Sequence, residues 1–278
     1  MISVYGSTGF IGGRYLKMYS DTTIPIARFE DTPQSKDILY FISTTHNYHI
    51  FDDPHKDIET NLNKLISVLE ASKKKYSKDI TFNFISSWFV YGMNSTMDTK
   101  ETDPCDPRGF YSITKRAAEQ MLICYCQTMN INYRILRLTN ILGETDVGVS
   151  AKKNAMQYMI SLLKKNQIVK IYDGGSNIRD FMYVDDACRA IDVCLNSSSV
   201  GETINISNSQ PVSIRDAIEY CKQRIESTSE IVSIDTPNFH KVVQVKNVRL
   251  NNDKLRSYGY TYTTDTWQAL DRIIDTNF

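Results

Sequence analysis

"MISVYGSTGFIGG", residues 1–13, runs from a short apolar strand through a glycine turn into the start of a helical pattern. Its glycines stand at Gly6, Gly9 and Gly12, and Ser7, Thr8, Phe10 and Ile11 fill the turn between them. Gly6 permits the tight turn. Gly9 lets the backbone approach a pyrophosphate. Gly12 lets helix and strand pack closely, with the helix N-terminus facing the phosphates. The order strand, turn, helix separates this reading from a glycine-rich turn of no function.

Outward from that turn the chain keeps alternating. "DILYFIS" (37–43) is almost wholly apolar, as a parallel strand buried on both faces should be. "KDIETNLNKLISVLEASKKK" (56–75) places Ile58, Leu62, Leu65, Ile66 and Leu69 at helical spacing. "TIPIAR" (23–28), "DITFNFI" (79–85), "INYRILRL" (131–138), "IVKIY" (168–172) and "ETINIS" (202–207) read as further strands. Helices are expected at 109–129, 152–165 and 184–195, at 213–225 with Ser213 as cap, and at 263–275 with Thr263 or Thr264 as cap. The alternation predicts an α/β Rossmann fold, a doubly wound parallel sheet with helices on both faces. Residues 1–170 form the dinucleotide-binding domain on this reading, with 180–206 returning to it. Residues 171–278 form a smaller C-terminal, substrate-binding α/β portion. Only about eight residues, "FEDTPQSK" (29–36), join the second and third strands. A helical crossover needs about 10–12. The sheet edge is therefore expected to be trimmed where an adenosine would lie.

The totals exclude several classes. The chain has 278 residues, and Lys+Arg and Asp+Glu are both 32. Zero formal charge argues against non-specific binding to nucleic acid or to a membrane surface. Six cysteines include no C-x-x-C pair, so neither a disulfide frame nor a zinc site is expected, and no metal is assigned. No apolar run reaches the ~18 residues of a membrane span. The expected location is cytoplasmic.

Two features carry chemistry. Arg28, at the end of the second strand, suits a ribose 2′-phosphate, which tilts the cofactor from NAD towards NADP. "YSITK" puts Tyr111 and Lys115 at i and i+4 on one helix face. A cation close to a phenol favours the phenolate and lets tyrosine act as a base near neutral pH. Tyr-x-x-x-Lys alone is common. It gains meaning after a dinucleotide-binding turn and a strand that ends in Ser86-Ser87.

Together these residues resemble the extended short-chain dehydrogenase/reductases, specifically the nucleotide-sugar epimerase/dehydratase family. The matching pieces are "GSTGFIG", "SSWFVYG", "PCDPRGFYSITKRAAEQ", "LRLTNILG", "IYDGGSNIRDFMYVDDACRAI" and "TINISNSQPVSIRDAIE", in family order. The resemblance implies Tyr111 as catalytic base, Lys115 on the nicotinamide ribose and Ser87 as the catalytic hydroxyl, with Ser86 as runner-up beside the substrate. It implies Ser43 and Thr44 along the cofactor, Asn140 beside the substrate phosphates and Arg179 on the nucleotide diphosphate. The alternative for Arg179 is a salt bridge with Asp180 or Asp185. Dehydratases of the family carry an acidic pair after the catalytic hydroxyl. Here Trp88 and Phe89 stand there, which argues against loss of water and leaves Trp88 to cover the sugar.

The expected activity is a nucleotide-sugar 4-epimerase acting through a keto intermediate. The alternatives are an NADPH-dependent reductase of nucleotide-linked 4-keto sugars and a non-catalytic dinucleotide-binding sensor. The resemblance also implies a homodimer packed through helices 57–75 and 111–129.

Overall fold

An unbroken apolar strand needs cover on both faces, and β1 (Ile2–Tyr5) has it, with Ser3, Val4 and Tyr5 all buried. The computed structural model describes residues 1–146 and 149–276. Along the chain follow β2 (Thr23–Pro25), β3 (Asp37–Tyr40), β4 (Thr81–Ser87), β5 (Asn132–Leu138), β6 (Asn140–Leu142), β7 (Val169–Tyr172), β8 (Ile178–Tyr183), β9 (Glu202–Ile206), β10 (Pro211–Ser213) and β11 (Ile231–Ile234). The main sheet has the order β2-β1-β3-β4-β5-β9, and every pairing in it is parallel. Alternate residues feed opposite faces. Val4, Leu39, Leu136 and Ile204 join one apolar cluster, and Tyr5, Ile38, Tyr40, Phe82 and Ile135 join the other.

The helices are α1 (Phe10–Met18), α2 (His49–Asp52), α3 (His55–Ile58), α4 (Lys64–Tyr76), α5 (Phe110–Met129), α6 (Ala155–Lys164), α7 (Val184–Ser197), α8 (Ile214–Ile225), α9 (Asn238–Val243), α10 (Asp253–Ser257) and α11 (Thr266–Asp275). Helices α4 and α5 cover one face of the sheet through Leu65, Val68, Leu69, Ala118, Leu122 and Cys126. Helix α7 packs on α1 and leads into β9, which pairs with β5. Strands β10-β8-β6 form a second sheet, and β11 pairs with β7. Helix α6 packs against α8 and α11. None of the described helices is long and apolar enough to cross a membrane.

The sheet edge is trimmed as expected. β2 stops at Pro25, so the predicted strand over 23–28 is half its length, and a proline at that edge breaks no interior ladder. The following segment lies against β1. Ser3 Oγ accepts the backbone N–H groups of Gln34 (2.9 Å) and Ser35 (2.8 Å), and the Tyr5 hydroxyl donates to the Asp31 carbonyl at 2.7 Å.

Three local expectations need correction. The helix over 56–75 is interrupted, because Glu59–Asn63 is a π-helical turn between α3 and α4 that swings Asn61 into the interior. Strand β4 starts at Thr81, two residues later than the expected start at 79, and ends in the two serines as expected. Helix α11 starts later than Thr263 or Thr264. Its cap is Asp265, in a capping box with Gln268, while the N–H groups of Thr263 and Thr264 donate to the buried Asp186 carboxylate. Ser213 caps α8 as expected, accepting from Asp216 N–H at 3.0 Å.

Candidate active site

The glycine turn is built for close approach. Gly6 has φ +76°, and a Cβ on Gly12 would lie 2.4 Å from the Gly6 carbonyl oxygen. No side chain caps the N-terminus of α1, so its first-turn N–H groups are left for an anion. Ser7 is half-buried and Thr8 and Gly9 are exposed at this turn, while Phe10 and Ile11 line the adjoining cavity. These features fit the pyrophosphate of a dinucleotide. Arg28 lies exposed in the turn after β2 and makes no hydrogen bond or ion pair among the described residues.

β4 ends where α5 begins, and this brings Ser87 to Tyr111 and Lys115. Ser87 Oγ accepts the Phe89 N–H at 3.3 Å, capping the short 3-10 turn Trp88–Tyr91. Tyr111 is 9% exposed, and its ring meets that of Phe89 edge-on at 6.0 Å. Burial pushes its phenol above the ordinary value, and the facing hydroxyls of Ser87 and Ser43 pull back against that. Lys115 Nζ donates to the Ile85 carbonyl at 2.6 Å and sits 4.1 Å from the centre of the Phe84 ring. Burial lowers its pKa to about 7. The expectation that the lysine would lower the phenol's pKa is therefore not met here. Desolvation governs both groups and favours their neutral forms.

Ser86 is not in the cavity. Strand parity turns it to the other face, towards the Glu119 carboxylate that Arg137 binds at 2.9 and 2.8 Å. Thr44 also turns inward. Its hydroxyl donates to Asp57 and its backbone N–H donates to Asn61 Oδ1 at 2.9 Å. Ser43 is the half-exposed member of that pair.

A cavity of about 390 Å³ collects Ser87, Trp88, Phe89, Tyr111, Asn140 and Arg179. A second, of about 550 Å³, adjoins it across Arg179, His240 and Gln244. Arg179 is 8% exposed, and its guanidinium donates to the carbonyls of Ile178 (2.8 Å), Lys246 (2.7 Å) and Val245 (2.7 Å). It also lies 5.5 Å from the Trp88 ring centre, and burial lowers its pKa to about 10. Neither nearby acid pairs with it. Asp185 binds Arg14, and Asp180 accepts from Ser207 and from Gln210 N–H. Asn140 Nδ2 donates to the Asp180 carbonyl at 3.2 Å.

Sequence reasoning passed over Asn61, Asp57, His46 and His240. Their signal is tertiary: Asp57 and Asn61 sit in the stretch 56–75 read only for its apolar spacing, and His46 and His240 lie outside the quoted stretches.

Residues 26–207 match the NAD dependent epimerase/dehydratase family. The chain belongs to that family. Its cofactor class is accordingly a nicotinamide dinucleotide, and its enzyme class is nucleotide-sugar epimerase/dehydratase. A Methanocaldococcus jannaschii protein named for UDP-glucose 4-epimerase activity is 26% identical over 81% of this chain and 71% of its own length. The trifunctional Arabidopsis thaliana protein RHM1 is named as UDP-glucose 4,6-dehydratase, 3,5-epimerase and UDP-4-keto-L-rhamnose-reductase. It is 24% identical over 86% of this chain, which spans only 35% of that relative. Among solved structures, UDP-glucose 4-epimerase from Thermotoga maritima, solved with UDP-glucose, superposes with a TM-score of 0.87. It covers 99% of this chain and 97% of the other at 20% identity, a likeness of fold.

Proposed function

We propose that this chain is a nucleotide-sugar 4-epimerase that works through a keto intermediate. The observation that supports it most is that Ser87 and Tyr111 line one cavity, together with Phe10 and Ile11 from the glycine turn, and that this cavity continues past Arg179 into a second one. The sugar would lie against Tyr111, and the nucleotide against α6 and the 171–278 portion. Tyr111, in its phenolate form, takes the proton of the C4 hydroxyl to become the neutral phenol and later returns it. Ser87 donates to the same oxygen as it becomes a carbonyl. Such positioned groups contribute about 10²–10⁴-fold each. The bound nicotinamide dinucleotide supplies the hydride acceptor and donor. Lys115 orients the cofactor side of the site.

Arg179 is a buried cation with no carboxylate partner among the described residues, which suits a diphosphate beside Asn140. Trp88 and Phe89 offer no carboxylate to expel water, so hydride transfer is the whole of the redox chemistry. A homodimer through helices 57–75 and 111–129 belongs to the same reading.

The second reading is an NADPH-dependent reductase of 4-keto sugars. Arg28, exposed beside the trimmed edge and without a hydrogen bond or ion pair among the described residues, favours it. In that case the cofactor is a co-substrate and exchanges each turn. Purified protein assayed for bound nucleotide, then for C4 inversion of UDP- and dTDP-hexoses by NMR, separates the two. Retained cofactor with inversion supports the epimerase. Cofactor-free protein that oxidises NADPH only with a 4-keto sugar replaces it by the reductase. Loss of either activity in Tyr111→Phe is expected, and full activity in that variant would end both readings.

A further inference from the structure

Helix α5 carries Tyr111 and Lys115, but the residue at its cap position has no side chain to hold it. Gly109 has φ −108° and ψ 156°, the extended backbone of an ordinary N-cap. The first-turn N–H groups, which have no partner within the helix, are satisfied in other ways. The Ser112 hydroxyl folds back on Gly109, accepting its N–H at 3.0 Å and donating to its carbonyl at 2.9 Å. The N–H of Ser112, the third helical residue, is one that an N-cap side chain takes. It donates to Asn47 Oδ1 at 3.3 Å, 65 residues away in sequence. A backbone N–H can only donate, so the oxygen of this amide faces it and not the nitrogen.

Gly109 and Asn47 fit together as two halves of one cap. A Cβ on Gly109 would lie 2.1 Å from Asn47 Oδ1 and 2.3 Å from its Cγ. With φ negative, the backbone does not call for glycine; the Asn47 amide, filling the space of a side chain, does. Asn47, Gly109 and Ser112 are all buried. Tyr111 is the second residue of the helix, inside the turn that this bond closes. Asn47 also lines the same cavity as Tyr111 and Ser87.

We propose that Asn47 is a positioning residue: it caps α5 from the segment after β3, fixes the first turn of the helix, and so holds Tyr111 in the cavity beside Ser87. This rests on reading Tyr111 as the proton-transfer group.

The cap can be moved, and that tests the proposal. Asn47→Ala removes it. Gly109→Ser supplies a capping hydroxyl, but alone it collides with the Asn47 amide. Asn47→Ala combined with Gly109→Ser makes room for a serine that caps its own helix. Hydrogen exchange of the full chain without ligand, read by mass spectrometry on peptides that cover 109–116, should quicken by about 2- to 30-fold in Asn47→Ala, the worth of one cap. It should return towards the unsubstituted rate in the double variant. The ¹⁹F signal of 3-fluorotyrosine at residue 111, assigned by its loss in Tyr111→Phe, should move in Asn47→Ala and move back in the double variant. Turnover of a nucleotide sugar should fall and recover in the same order. Unchanged exchange in Asn47→Ala, or a double variant no better protected than Asn47→Ala, overturns the proposal. So does a fluorine signal that stays in place while exchange quickens, which would leave Asn47 a cap with no hold on Tyr111. A protein inactive on nucleotide sugars would overturn the proposed function alone, because exchange and fluorine need no turnover.

Discussion

The Tyr48 hydroxyl and His240 Nε2 are hydrogen-bonded at 2.7 Å, across 192 residues of sequence. The bond ties the stretch after β3 to α9, at the border of both cavities. Aromatic contacts surround it: Tyr48 with Phe239 at 5.1 Å, Phe51 with Phe239 at 4.8 Å and Tyr172 with His240 at 4.8 Å. His240 lines both cavities, so a ligand that spanned them would lie against this clasp. Tyr48→Phe keeps the ring contacts and deletes one hydrogen bond, worth about 1 kcal/mol. Dissociation of a bound nucleotide sugar, followed by stopped flow, should quicken by roughly 3- to 10-fold. An unchanged dissociation rate would remove the clasp from the path of the ligand.

Lys115 combines a useful position with a costly burial. At 2% exposure, bonded to the Ile85 carbonyl and lying over the Phe84 ring, the ammonium is poorly solvated, and its pKa falls to about 7 from 10.5. The unfolded chain then binds more protons than the folded one between those two values, so this group makes stability rise with pH across that window. The penalty is complete below pH 7 and relieved towards pH 10. Lys115→Met should abolish turnover and raise the thermal midpoint, most at pH 6 and least at pH 10. A midpoint that falls at pH 6 would mean that the ammonium stabilises the fold.

The parts of this site that could be read in advance are those held by local constraint. Gly6 and Gly12 are dictated by a positive φ and by a backbone oxygen 2.4 Å from a would-be Cβ, and such demands are met within a dozen residues of sequence. Tyr111 and Lys115 share a helix face by spacing alone. Ser87 against Ser86 was decided by strand parity, which acts only once the register of β4 is known. Asn61 was hidden because a π-turn shifts the helical phase by one residue without disturbing the apolar count around Leu62 and Leu65. Arg179 was assigned possible acid partners nearby in sequence. Its real acceptors are mostly the carbonyls of Val245 and Lys246, 66 and 67 residues away. Contacts of that kind leave no periodicity to find.

Arg14 and Asp185 join α1 to α7 by two hydrogen bonds, Nε at 2.5 Å and Nη2 at 2.6 Å, with side chains 20% and 16% exposed. The pair lies between the surface and buried extremes, and holds the helix that carries the glycine turn. Asp185→Ala should cost about 1–3 kcal/mol, between the values for exposed and buried pairs. Chemical denaturation should show a lower midpoint with an unchanged slope. Binding of the dinucleotide should weaken less than stability does. No change in the midpoint would put the pair among ion pairs that contribute nothing.

Arg179 is a buried cation with no acidic partner among the described residues. It is buried, its pKa is lowered to about 10 by desolvation, and its described partners are neutral carbonyls. A cation in that state costs stability unless an anion joins it. Arg179→Gln keeps a donor for one carbonyl and removes the charge. It should leave the free protein as stable or more so. It should weaken a nucleoside diphosphate by roughly 10- to 150-fold, the worth of charge-assisted hydrogen bonds at about 1.5–3 kcal/mol. Calorimetry with UDP reads the affinity and a thermal scan without ligand reads the fold. A large loss of stability with unchanged UDP affinity would assign Arg179 to the scaffold of β8 and the Val245–Lys246 segment instead.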